Sequence, residues 1–144
     1  MKALAAVVDT NVVAAALITS RPDSPVARLL DGMVAARFPF TVSGPLLAEY
    51  RTVLARPKLR KLHGLDDEAI EPLLLEIVRH AILVEPVRGS PAPDPGDQML
   101  WNLLATRLDL LLVTGDRALL EDEAMNGRIV TPAQFFAGRT ASPP

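Results

Sequence analysis

Cysteine is absent from the chain. That excludes disulfides, thiolate metal sites and cysteine nucleophiles, and it fits a reducing cytoplasm, which is the expected location. Aromatic residues make up only 4% of the sequence, so no run of rings offers a platform for stacking bases. Positive charge is not in excess: the formal net charge is −2. A protein that attracts nucleic acid over its whole surface is usually basic, so any such contact here must be a local patch or be helped by bound metal. Long hydrophobic runs are missing too. Ala3 to Val8 is broken by Asp9, and Leu73 to Leu75 and Leu110 to Val113 are core-sized. No signal peptide, transmembrane helix or other membrane association is expected. There is no phosphate-cradling glycine loop, no Ser-His-Asp set and no zinc-ligand spacing. The two histidines, His63 and His80, lie beside neither the strand ends nor each other.

What is present is 49% apolar residues over 144 positions, enough for one domain with a real core. The domain is expected over 1–138, with a frayed tail at 139–144. Ala3 to Val8 reads as a buried strand that ends on a carboxylate, Asp9. Val12 to Ile18 reads as a helix. Ser24 caps a second helix with Pro25 at its first position, and Val26, Leu29, Leu30, Met33 and Val34 give it an apolar face. Phe38 to Val42 reads as a strand and Ser43-Gly44-Pro45 as another helix start. In that helix Leu46, Leu47, Tyr50, Val53 and Leu54 form a stripe, and Glu49 falls roughly 40° outside its edge. Arg56-Pro57 ends the helix, and Lys58 to Gly64 is a basic connector. Asp66 or Asp67 caps the next helix. Ile82 to Val84 is a short strand, Arg88 to Gly96 a loop, and Asp97 stands at the cap of a further helix. Leu110 to Val113 is a strand, with a short helix from Arg117. Ile129-Val130 and a helix from Thr131-Pro132 close the chain. Alternating strands and helices predict an α/β fold with a mostly parallel sheet covered on both faces.

Four acids share a pattern. Asp9 and Asp116 follow strands, while Glu49 and Asp97 lie in the first turns of helices. In a layered α/β fold these positions meet at the carboxyl edge of the sheet, where ligands bind. Gathered carboxylates repel, so they hold protons to higher pH or take up a cation. All-oxygen donors suit Mg²⁺ or Mn²⁺. Such an ion can drive phosphodiester hydrolysis without a histidine or a covalent nucleophile. Each acid also has a plainer role open to it. Asp97 and Asp116 are placed to cap helices, and Glu49 to face solvent. Asp9 is hardest to explain without a partner, because an unpaired buried charge is costly.

The residues resemble the PIN-domain nucleases, in particular the toxin components of bacterial and archaeal toxin–antitoxin pairs. Val8-Asp9-Thr10-Asn11-Val12 resembles the first motif of that family. Ser43-Gly44-Pro45-Leu46-Leu47-Ala48-Glu49-Tyr50, continued by Val53-Leu54-Ala55-Arg56-Pro57-Lys58, resembles the second. Asp94-Pro95-Gly96-Asp97-Gln98-Met99-Leu100 resembles the third and Leu112-Val113-Thr114-Gly115-Asp116 the fourth. The resemblance implies a three-layer α/β/α PIN-like fold and a Mg²⁺- or Mn²⁺-dependent endoribonuclease. It implies Asp9, Asp97 and Asp116 as principal ligands, with Glu49 as a further ligand or as the holder of a water at the metal. Thr114 would hydrogen-bond among the acids, Asn11 would order the first loop, and Asp94 would support the third motif. RNA is the implied substrate, a small antitoxin protein the implied inhibitor, and a homodimer the implied assembly. The chain departs from the pattern at Gly96, where another acid is common, and at Trp101-Asn102-Leu103, where a small alanine is common.

Arg51, Arg56, Lys58, Arg60 and Lys61 crowd the end of the Glu49 helix. Arg56, Lys58 and Lys61 are the candidate RNA contacts; the other reading is a solvated face favoured by the helix dipole. Trp101 is expected in the core or at a dimer interface. Two other functions compete. A non-catalytic PIN-like module would bind RNA or protein without cleaving, which the retained acids disfavour. A phosphatase-like or receiver-like domain would want Asp-x-Asp at the first strand or a late lysine, and the chain has Asp9-Thr10-Asn11 and no lysine after Lys61.

Overall fold

The computed structural model describes residues 5–125 and 127–141. The first apolar run forms β1, Ala5–Val8, with every residue buried; positions 3 and 4 of the expected strand lie outside the described residues. β1 pairs in parallel with β4, Leu110–Val113, with Ala5 opposite Leu110 and Val8 opposite Val113. β4 pairs in parallel with β5, Ile129–Val130. A second parallel pair joins β2, Thr41–Val42, to β3, Ile82–Leu83. A parallel bridge between Ala6 and Phe40, with the Ala6 amide donating to the Pro39 carbonyl at 3.0 Å, links the two pairs. The strands therefore run in the order β3-β2-β1-β4-β5. The chain steps outward from β1 to β3, then returns to the other side of β1 for β4. That reversal makes the gap between the carboxyl ends of β1 and β4 the topological switch point, the usual ligand position in such sheets.

Parallel strands need long crossovers, and helices supply them: α1 (Thr10–Ile18), α2 (Pro25–Val34), α3 (Gly44–Leu54), α4 (Pro57–His63), α5 (Asp67–His80), α6 (Gln98–Leu104) and α7 (Arg117–Leu120), while α8 (Pro132–Ala141) follows β5. The result is the three-layer α/β/α arrangement. Local chemistry fixes the helix starts. Ser24 accepts from the Ala27 amide, Ser43 from the Leu46 amide and Asp66 from the Ala69 amide, each satisfying an amide that the helix leaves unpaired. The core is continuous around Leu29, Met33, Phe40, Leu46, Tyr50, Leu54, Ile77, Trp101, Leu103 and Leu104. Trp101 is thus a core residue.

Three differences from the sequence expectations have local causes. Lys58 to Gly64 is not a connector, because α4 occupies Pro57–His63. Pro57 supplies a helical φ at the first position, and Gly64 ends the helix at φ 72° in the left-handed region that glycine tolerates. The expected strand at 38–42 is regular only over Thr41–Val42, with Phe40 contributing the bridge to β1. At the other end, α8 runs to Ala141, so the expected frayed tail is helical in backbone through 141; residues 142–144 lie outside the described residues.

Candidate functional site

Asp9 follows β1 directly and holds the cap position of α1, but its side chain does not cap that helix. It is only 7% exposed, and its Oδ2 accepts a 2.7 Å hydrogen bond from Thr114 Oγ1. The Asp9 amide donates to the Val113 carbonyl at 3.0 Å. Thr114 Oγ1 also accepts from the Asp116 amide at 3.0 Å. A hydroxyl has one proton, and an amide can only donate; the Thr114 proton is therefore committed to Asp9. One buried side chain so fixes the carboxylate after β1 and the backbone of the acid after β4.

Glu49 lies on α3 and is half-buried, at the border of the stripe as its angle predicts. It accepts from Thr10 Oγ1 at 3.2 Å. The next residue, Tyr50, is fully buried and donates to the Val8 carbonyl, the last of β1. Thr10 and Tyr50 thus bind α3 to the end of β1. In sequence Thr10 is open to two roles, turning the chain after Asp9 or tuning the site, while Tyr50 is visible only as a stripe residue; the available signal for both is their adjacency to Asp9 and Glu49.

Asp97 ends a 3-10 turn, Pro95–Asp97, and precedes α6 without a side-chain capping bond. The capping explanation for Asp97 fails. For Asp116 it holds in part, because Oδ1 accepts from the Ala118 amide at 2.9 Å at the start of α7. Asp94 is exposed and holds the 3-10 turn through the Gly96 amide at 2.8 Å. Asn11 is exposed in the first turn of α1, and its side chain makes no hydrogen bond to a described residue.

Electrostatics tie these groups together. Burial, first, holds the Asp9 carboxyl above its ordinary value, and the charges of Glu49 and Asp116 push the same way; the bonds from Thr114 and the Thr10 amide oppose them. Asp97 is raised to about 6, by burial and then by Asp9, Asp94, Asp116 and Glu49. The Tyr50 hydroxyl is raised by burial, then by Asp9 and Glu49. The acids therefore share one field. They do not converge on a single point: among the described residues, no group of three or more His, Asp or Glu side chains is arranged to hold a metal ion. Direct contacts join Asp9, Thr114 and the Asp116 amide, and separately Thr10 and Glu49. Asp97 is linked to the rest through charge alone. The all-oxygen donor set fits a hard divalent cation.

The basic run divides. Arg51 pairs with Glu71 at 2.7 Å and Arg60 with Asp67 at 3.6 Å. His63 is structural, with Nε2 beside the Leu54 carbonyl and Nδ1 accepting from the Leu65 amide. Arg56, Lys58 and Lys61 are exposed and have no ion pair with a described residue.

The family model described as PIN domain matches residues 5–118, which span β1 through Asp116 and α7's first residues. The chain belongs to the PIN domain family. Among curated proteins, none matches the chain significantly. PIN domains are commonly nucleases that use divalent metals, which supports hydrolysis of nucleic acid as the reaction class of this PIN domain. No described helix is long and apolar enough to cross a membrane.

Proposed function

We propose that this PIN domain is a Mg²⁺- or Mn²⁺-dependent endoribonuclease and the toxin of a toxin–antitoxin pair. The supporting observation is the placement of Asp9. It is a buried carboxylate at the switch point, oriented by Thr114 and raised in pKa by burial and by neighbouring acids. Asp9, Asp97 and Asp116 would hold the cation, with Glu49 as a further ligand or a holder of water. A bound divalent ion lowers the pKa of attacking water and stabilises the leaving oxygen. The chain's own part is positional. Thr114 fixes the Asp9 carboxylate, Thr10 fixes Glu49, and the Tyr50 bond to Val8 keeps α3 seated against β1. Lys58 and Lys61, exposed on α4, would supply phosphate contacts to the RNA backbone.

A homodimer and a small antitoxin are the proposed partners. Leu75 and Leu83, 64% and 63% exposed, with Val78 and Ile82 nearby in sequence, give apolar surface for such contacts.

The test is RNA cleavage with Mg²⁺ or Mn²⁺, with and without chelator, for the parent, Asp9→Asn and Asp116→Asn. Cleavage should require the ion and fall by about a hundredfold or more in both variants. Cleavage that survives chelation, or parent-like activity in both variants, defeats the proposal. RNA binding without cleavage under any cation would instead favour the non-catalytic module. For the toxin role, the protein encoded by a small neighbouring reading frame should bind this chain and inhibit it.

A further inference from the structure

We propose that the pocket between residues 86–91 and α6 is a nucleotide subsite that holds the RNA strand beside the acids. The pocket has a volume of about 470 Å³ and is lined by Pro86, Val87, Arg88, Pro91, Gln98 and Asn102, within the size range of small-ligand sites. It is preformed. Asn102 Oδ1 accepts from the Gly89 amide and from Gln98 Nε2, both at 2.9 Å. Gln98 Nε2 also donates to the Ser90 carbonyl at 3.0 Å, and Gln98 Oε1 accepts from the Ala92 amide at 2.9 Å. The loop lies so close to α6 that a Cβ on Gly89 would stand 2.7 Å from the Trp101 carbonyl oxygen.

These bonds decide what the pocket can take. They use the side-chain oxygens of Gln98 and Asn102 and both protons of the Gln98 amide. Among the lining side chains, what is left is the Asn102 amide nitrogen and the exposed Arg88 guanidinium, neither bonded to a described residue. The pocket thus offers donors and positive charge beside an apolar wall of proline and valine. A ligand that fits carries anionic acceptor oxygens next to an apolar ring, as a nucleotide does. Position supports the same reading. Gln98 is the residue after Asp97, and Asn102 lies about 6 Å further along the helix axis. A strand with one phosphodiester at the acids would lay a neighbouring nucleotide here. The net charge of −2 gives no general attraction for RNA, so a local cation is needed to attract phosphate, and Arg88 is the one that lines this pocket.

The inference rests on nucleic acid being the substrate of the acidic site. The test uses the full chain carrying Asp116→Asn, a short labelled single-stranded RNA of mixed sequence, and fluorescence anisotropy. Adding Arg88→Ala should weaken binding by about tenfold to a hundredfold, as expected for loss of a charged phosphate contact. Arg21→Ala removes the same charge beyond the far end of α1 and should leave binding near the parent value. Equal weakening by both, no weakening by either, or no RNA binding at all overturns the subsite. In the otherwise unaltered chain, Arg88→Ala should raise KM far more than it lowers kcat. Cleavage that depends on Asp9 with a KM indifferent to Arg88 would remove the subsite and leave the nuclease. Arg88-dependent binding by a chain that never cleaves would do the reverse.

Discussion

Replacing Asp97 by asparagine should stabilise the cation-free protein. The carboxylate makes no capping bond, so the amide forfeits no contact. What the substitution removes is charge in an unfavourable place. Burial and four neighbouring acids raise the Asp97 carboxyl from 3.8 to about 6. A difference of that size corresponds to about 3 kcal/mol. The side chain is partly exposed, and solvent screening reduces the figure to about 1–2 kcal/mol. The folded state holds this proton to higher pH than the unfolded state does. The destabilisation is therefore absent below 3.8, grows as pH rises through the interval, and is complete above about 6. Urea unfolding in EDTA at about pH 7.5 should show Asp97→Asn ahead by that amount. In thermal melts the gain corresponds to about 3–8 °C for a domain of this length. At about pH 4 the two proteins should converge. Mg²⁺ should narrow the gap at neutral pH, since it stabilises the parent by binding its folded state. A variant less stable than its parent at neutral pH, or a gap that persists on acidification, refutes the electrostatic account of the site.

Thr114→Val strips the Asp9 carboxylate and the Asp116 amide of a shared partner and should destabilise by about 2–3 kcal/mol, with Thr114→Ser close to parent; equal melting of the valine variant and parent would show that the bond contributes nothing. Tyr50→Phe should lower the urea midpoint by the equivalent of about 1–2 kcal/mol with an unchanged m-value, and an unchanged midpoint would remove Tyr50 from the site's frame. Pro72 lies inside α5, where its ring removes a backbone bond, so Pro72→Ala should stabilise by about 1–2 kcal/mol in the same assay. Lys58→Glu with Lys61→Glu should weaken RNA binding and make its salt slope shallower by about 1.4, while Mg²⁺ binding stays unchanged; an unaltered slope would assign both lysines to a solvated face.

The features legible in sequence are those fixed within a few residues. Ser24, Ser43 and Asp66 cap the helices that their spacing indicates, because an N-cap bond reaches only three residues. The apolar run before Asp9 identified β1 for the same reason. Glu49 lies at the border of its stripe because the helical angle is a local property. α4 carries no extended apolar stripe that would mark it in sequence, because Lys58, Arg60 and Lys61 occupy three of its seven positions; its only local signals are Pro57 and Gly64 at its ends. Contacts between distant segments were not legible from the residues alone. The Thr114–Asp9 bond spans 105 positions and the Tyr50–Val8 bond 42. The Ala6–Phe40 bridge, which sets the order of the strands, likewise leaves no local trace. Nor did the basic run reveal that Arg51 and Arg60 are already paired, since their partners lie on α5.

The distribution of ion pairs bears directly on the site. Among the described residues, arginines and His80 pair with Glu71, Asp67, Glu76 and Asp109. None pairs with Asp9, Glu49, Asp97 or Asp116. A fold selected for stability alone would place a cation near its most buried carboxylate, since an uncompensated charge in low dielectric is costly. Here the fold does the opposite: Thr114 and the Thr10 amide hold Asp9 in place with neutral donors. Neutral donors orient a carboxylate without neutralising it. The missing charge then has to come from solution, as a proton or as a cation. Burial and the neighbouring acids favour the first of these, since they raise the Asp9 and Asp97 carboxyls above their ordinary values. Competition between the two follows: at a pH near the Asp97 value, proton uptake should weaken Mg²⁺ binding, and Asp97→Asn should flatten that pH dependence. Calorimetric Mg²⁺ titrations across the range from about pH 5 to 8 read this directly. An affinity independent of pH in the parent would mean that Asp97 takes no part in holding the ion.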